Sequence, residues 1–215
     1  MIELFQQGGV LMYPLAFCSV VALAIIVERA LNLRRTKVIR PDITQVIENI
    51  KSPEDLGLAY SICEKNKGPF SAVVLTALEM KKLPKEEIKE AILDTGRQQT
   101  RCLERGLVVL DTVAGISPLL GILGTVLGMI QIFRDITQFG IGQASALASG
   151  IQLALITTAT GLCIGIPALV AYNYFTNKVD GLVMDLEYWA GYLLNKLSGF
   201  NVDAAERAER ERAGL

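Results

Sequence analysis

The amino-acid sequence predicts an all-α integral membrane protein with three transmembrane helices, two of them extended into a cytoplasmic helical region. Three observations carry that prediction. Three runs, Leu4 to Val27, Thr112 to Phe133 and Ile136 to Asn177, contain no Asp, Glu, Lys or Arg, and about 20 mostly apolar residues suffice for a helix to cross the hydrocarbon core. Basic residues crowd into one segment, with fifteen of the 21 Lys and Arg between Arg29 and Arg105. Small residues recur every three or four positions in the second and third runs, the spacing that lets helices in a bilayer approach closely. With 51% hydrophobic residues and a mean hydropathy of +0.39 over 215 residues, the chain is too apolar for an ordinary soluble domain and too short for many spans.

Residues 1–9 read as a short extracytoplasmic start, and the first span is expected over 10–33. Its core, VLMYPLAFCSVVALAIIV, is longer than a signal-peptide h-region, has no basic n-region before it and no A-x-A pattern after it, which marks a retained helix. Pro14 falls near the beginning, where a missing N–H costs least. Arg29, Arg34, Arg35, Lys37 and Arg40 follow. Because Lys and Arg beside a span stay in the cytoplasm, the N-terminus is expected outside and the middle segment and tail inside.

Residues 34–106 read as a cytoplasmic helical region. Ser52-Pro53-Glu54-Asp55 offers an N-cap, a proline at the first helical position and an acid in the first turn. Gly68-Pro69 and Leu83-Pro84 punctuate the next segments, and Val73, Val74, Ala77 and Leu78 form an apolar face at helical spacing. From Lys85 the pattern stays helical through Ile88, Ile92 and Leu103, interrupted only by Gly96 and Gly106. One continuous helix is therefore expected from the cytoplasm into a second span at 107–133. A short periplasmic loop at 134–143 leads to the third span at 144–175. An amphipathic helix at 176–200 then carries Val179, Leu182, Val183, Leu186, Trp189, Ala190, Leu193, Leu194 and Leu197 on one face, and a charged tail at 201–215 reads as a solvated end.

The candidate functional residues lie in the second and third spans. Gly121, Thr125 and Gly128 share one helical face, as do Ala154, Thr158, Gly161 and Gly165; Gly124 with Gly128, and Gly161 with Gly165, have the GxxxG spacing. Pro118 and Pro167 each free a carbonyl, which is tolerated in lipid only where neighbouring helices, hydroxyls or waters take it up. These spans therefore need neighbours. Asp111 stands in the first turn or so of the second span. An isolated carboxylate at mid-bilayer costs about 2.5–3.5 kcal/mol, so Asp111 is expected at the interface, with an ion-path or inter-subunit role as the other reading.

Composition also excludes. A formal net charge of -1 is not that of a nucleic-acid binder. Cys18, Cys63, Cys102 and Cys163 are scattered, without a CxxC, and there is no histidine, so neither a zinc site nor a disulfide framework is expected. GILGTVLG lacks the GK[ST] of a phosphate-binding loop. No enzyme activity and no cofactor are expected.

The stretches SPLLGILGTVLGMIQIF at Ser117 to Phe133 and SGIQLALITTATGLCIGIPALVAYN at Ser149 to Asn173 resemble the second and third transmembrane signatures of the ExbB/TolQ/MotA proton-channel family. Three spans with the N-terminus outside are similar to its ExbB and TolQ branch. The resemblance implies a homo-oligomeric ring, pentameric in this family, in the bacterial inner membrane. The ring would surround single-span partners similar to ExbD or TolR that carry a membrane aspartate, and a TonB- or TolA-like transducer would pass on the work. It also implies that the pore threonines fall on Thr125 and Thr158. A hydroxyl lining an apolar lumen can donate to a carboxylate or hold a water; a threonine bonded to its own i−4 carbonyl as a packing residue is the other reading. Where ExbB and TolQ usually carry a glutamate, five residues before the second threonine, this sequence has Leu153 beside Gln152. With no Asp, Glu, Lys or Arg between Thr112 and Phe133 or between Ile136 and Asn177, the partner would have to supply the proton carrier. A non-conducting oligomeric scaffold and a sodium-driven member of the same family are the alternatives.

Overall fold

A computed structural model describes residues 8–139 and 144–213 of the chain. Every regular element among them is helical: α1 (Met12–Asn32), α2 (Arg35–Val38), α3 (Pro41–Asn49), α4 (Asp55–Lys65), α5 (Pro69–Glu79), α6 (Lys85–Glu104), α7 (Leu107–Phe139) and α8 (Ala144–Ala213). The chain divides into two compact units, one from Met1–Ala30 with Gly106–Thr176, the other from Leu31–Arg105 with Asn177–Leu215.

The first unit holds α1, α7 and the first part of α8. Among the described residues, three helices are long and apolar enough to cross a membrane: Met12–Asn32, Leu107–Gln138 and a stretch within Ala148–Phe200, each reaching a mean hydropathy of 2.0. Pro14 sits in the first turn of α1, where its missing N–H breaks no helical bond. Tyr13, Phe17, Val20 and Leu23 of α1, Leu119 of α7, and Leu155 and Val170 of α8 are all exposed. In water so much contiguous apolar surface would drive association, whereas lipid tails solvate it as well as leucine would. Membrane residence follows from that surface.

The second unit is a layered packing of α3 to α6 in chain order, with the distal part of α8 contributing a long stripe. Phe70, Val74 and Ala77 of α5, Ile43 and Ile47 of α3, Cys63 of α4 and Ile88 of α6 are fully buried. Val179, Leu182, Leu186, Ala190, Leu193, Leu194 and Leu197 are buried along α8, the face expected from their spacing. Val183 and Trp189, expected on the same face, are only half-buried. Lys196 donates from Nζ to the carbonyls of Ile47 (3.0 Å), Glu48 (2.6 Å) and Ile50 (3.1 Å). One ammonium thus caps the C-terminus of α3, where unpaired carbonyls and the helix dipole favour a cation.

Three local expectations are corrected. The helix expected to run unbroken from Lys85 into the second span breaks at Arg105 and Gly106: α6 ends at Glu104, and Gly106 has φ +88°, a conformation that glycine alone adopts cheaply. The Gly106 carbonyl then accepts from Leu110 N–H to start α7. At its other end α7 continues to Phe139 rather than stopping at Phe133, since nothing after Phe133 breaks a helix and Gln131 Nε2 donates to Asp135 Oδ1 four residues on, at 3.2 Å. The remainder of the expected loop, 140–143, lies outside the described residues. Ser52 is not the N-cap of α4, which begins at Asp55. There the carboxylate reaches back to accept from Lys51 N, Ser52 N and Ser52 Oγ at 2.9, 2.9 and 3.1 Å, and these bonds hold its pKa below the usual carboxylate value. The charged tail, expected as a solvated end, is helical and continues α8 to Ala213, in keeping with the strong helix propensity of its Ala, Glu and Arg.

Candidate functional site: the seam between α7 and α8

Glycines let α7 and the first part of α8 touch backbone to backbone. A Cβ built on Gly161 would lie 2.5 Å from the Ser117 carbonyl oxygen, one on Gly121 2.9 Å from Thr158 Cα, and one on Gly128 2.8 Å from the Gly150 carbonyl. The contacts pair rising numbers on α7 with falling numbers on α8, so the helices run antiparallel. Gly121, Gly124, Gly128, Ala154, Gly161 and Gly165 are all buried, as the three- and four-residue spacing predicts.

The prolines differ. Pro118 has no N–H for the Ala114 carbonyl one turn back, and α8 comes close at that point. A Cβ on Gly165 would meet Pro118 Cδ at 2.8 Å and the Ala114 oxygen at 3.1 Å, so the missing side chain lets the two backbones pack across the freed carbonyl. Pro167 is exposed and lies off the seam, in a groove with Ile26 of α1 and with Val170, Tyr174 and Phe175.

Thr125 is half-buried, and its hydroxyl donates to the Ile122 carbonyl of its own helix at 2.6 Å. Thr158, also half-buried, donates instead across the seam to the Gly121 carbonyl of α7 at 3.0 Å. Its neighbour Thr157 went unnoticed in the sequence. Thr157 is 1% exposed, bonds to the carbonyls of Leu153 and Ala154, both at 3.0 Å, and fills the notch left by Gly124, whose Cβ would overlap its side chain. Adjacent helical residues lie about 100° apart, so one threonine of the pair enters the notch and the other flanks it. The sequence signal was Gly124 itself, a hole that needs a knob. Ser117 is fully buried, and among the described residues its Oγ has no hydrogen-bond partner. Asp111 is exposed, five residues into α7. At the same end of α7, the buried Arg29 guanidinium lies 3.4 Å from the point where a Gly106 Cβ would sit and pairs with Glu28 at 3.5 Å. No cluster of His, Cys, Asp and Glu able to hold a metal occurs among the described residues.

Three lipid-compatible helices, two of them joined by a glycine seam that carries hydroxyls and no charge, describe a membrane protein built for helix packing around a polar strip. The MotA/TolQ/ExbB proton channel family matches residues 65–188, more than half the chain, and the chain belongs to that family. Its relatives include a putative biopolymer transport protein ExbB homolog of Methanothermobacter thermautotrophicus, 28% identical over the whole of this chain and 78% of the relative. A putative biopolymer transport protein ExbB-like 1 of Synechocystis is 34% identical over 80% of this chain and 69% of its own length. The biopolymer transport protein ExbB of Aquifex aeolicus is 31% identical over 86% and 88% respectively.

Proposed function

We propose that this chain is the channel subunit of an inner-membrane machine that converts the proton-motive force into mechanical work, energising outer-membrane transport or envelope maintenance. The observation that carries the reading is the pairing of family membership with a seam whose polar groups are hydroxyls. Neither Thr112 to Phe133 nor Ile136 to Asn177 contains a titratable Asp, Glu, Lys or Arg, so the mobile carboxylate belongs to a single-span ExbD/TolR-like partner enclosed by a ring of copies of this chain, pentameric by resemblance. Each elementary charge crossing the membrane field releases about 2.3 kcal/mol per 100 mV, enough for several ions to drive a mechanical step.

In this reading the two threonines do different work. Thr125 spends its donor on its own helix, a bond that exchanges readily for one to a carboxylate or a water. Thr158 is tied to the Gly121 carbonyl, so it holds the seam in register while its oxygen remains able to accept. Basic residues between Arg29 and Arg105 support an N-terminus outside and a C-terminus inside, and the exposed Asp111 then stands at the cytoplasmic boundary of α7. The test is co-expression with a single-span ExbD/TolR-like partner and an assay of the driven process with and without an uncoupler. Thr125→Val is expected to abolish the driven process with the ring intact, and Thr158→Val to weaken both assembly and drive. Full activity in both variants would remove the ion-path assignment. Activity indifferent to the uncoupler and to loss of the partner's membrane aspartate would favour a non-conducting scaffold, and dependence on sodium would name the coupling ion.

A further inference from the structure

We propose that the groove between α6 and the distal part of α8 is a docking site for an acidic amphipathic helix of a partner protein. The groove encloses about 700 Å³, within the range of built binding sites, and both of its walls are helices. It extends from Lys89 to Arg101 on α6 and from Val183 to Leu194 on α8, about 17 Å along each at 1.5 Å per residue, or roughly three turns of a third helix. Its floor is apolar, made by Val73, Ile92, Leu186, Ala190 and Leu194.

Two further observations select the guest. Gly96 and Gly191 stand on opposite walls, and nothing lies within 4 Å of where either Cβ would be. Glycine inside a helix is less stable than alanine, and no contact within the chain accounts for either one; an open notch on each wall suits the close approach of a guest backbone. The rim carries Lys89, Arg97 and Arg101 against a single carboxylate, Glu187. Arg97 reaches Asp94 only at 3.4 Å, with both side chains mostly exposed, a pairing that water screens. The cations are spread from the first turn of the groove to the last rather than gathered at one end, as a single lipid headgroup would require. Leucine-type anchors at i, i+3 or i+4 and i+7 would fill the floor, and flanking Glu and Asp would meet the rim. This inference does not depend on ion conduction.

The test uses the full chain in nanodiscs of zwitterionic lipid and a fluorescein-labelled 15-residue synthetic helix with leucines on one face and glutamates elsewhere; its control has lysine for every glutamate. Fluorescence anisotropy is expected to show saturable binding of the acidic peptide at least tenfold tighter than the control and weakening as salt rises. Gly96→Leu and Gly191→Leu, which favour the helix while filling the groove, and separately Arg97→Glu with Arg101→Glu, are each expected to weaken it at least tenfold. Circular dichroism checks that the variants keep their fold. No binding, or binding unchanged in both sets, overturns the proposal. Displacement of the peptide by stoichiometric oleate, with oleate itself bound equally well by the charge-reversed protein, also overturns it and assigns the groove to an acyl chain.

Discussion

Gly161→Ala tests the seam directly. The added methyl would lie 2.5 Å from the Ser117 carbonyl oxygen and 3.2 Å from both the Cα and the N of Gly121. All three are backbone atoms and cannot turn aside. An ordinary carbon-to-oxygen contact is about 3.3–3.6 Å, so α7 and α8 must part by about 1 Å, and a gap of that size forfeits a quarter to a half of each dispersion contact it opens. Overpacking of this kind costs about 1–3 kcal/mol, while alanine returns up to about 1 kcal/mol through its helix propensity. The expected net loss is about 1–2 kcal/mol. Gly181→Ala on the same helix is the control, because nothing lies within 4 Å of its Cβ position and only the propensity gain remains. Reversible unfolding in mixed micelles, followed by circular dichroism, should separate the two variants by about 2 kcal/mol. If Gly161→Ala is as stable as Gly181→Ala, the helices do not touch at this point and the seam is wrong.

The other predictions concern the second unit. Lys196→Met removes the cap on the carbonyls of Ile47, Glu48 and Ile50 at the end of α3 and should destabilise that unit by about 1–3 kcal/mol, read by the fluorescence of Trp189, the chain's one tryptophan, in urea; an unchanged midpoint would show the cap to be idle. Burial raises the Cys63 thiol from 9.0 to about 11. Because the folded state holds that proton more tightly, the stability this group confers is full below pH 9 and is lost as pH rises from 9 towards 11. A maleimide at pH 7.5 should therefore label the exposed Cys102 and spare Cys63 until the protein is denatured, as mass spectrometry would show. Asp55 has its pKa lowered by the Lys51 and Ser52 N–H groups, so its contribution is present above the ordinary carboxylate pKa and is lost as pH falls through the lowered folded value. The stability difference between wild type and Asp55→Ala should be flat above about pH 5 and shrink below about pH 4; a difference that persists at pH 2 would discount the carboxylate's bonds.

Much was already legible in the order of residues, because a bilayer makes demands that depend on composition. Charge-free length marks a span, Lys and Arg mark a side, and glycine every three or four residues marks a contact face. Gly121, Gly124, Gly128, Ala154, Gly161 and Gly165 were therefore placed on faces before any partner for them was known, and the stripe from Val179 to Leu197 was found by its period alone. Only the tertiary structure decided what each face meets. That Thr157 fills the Gly124 notch while Thr158 reaches the Gly121 carbonyl depends on the rotation of α8 about its axis, which neighbouring residues of the same size and polarity leave open. That Pro118 enters the seam depends on the rotation of α7, and that Pro167 turns from it on the rotation of α8. Gly106 could equally have continued the helix, since glycine tolerates either sign of φ; the structure assigns it the positive one, beside Arg29, and so separates α6 from α7 where the pattern alone ran on.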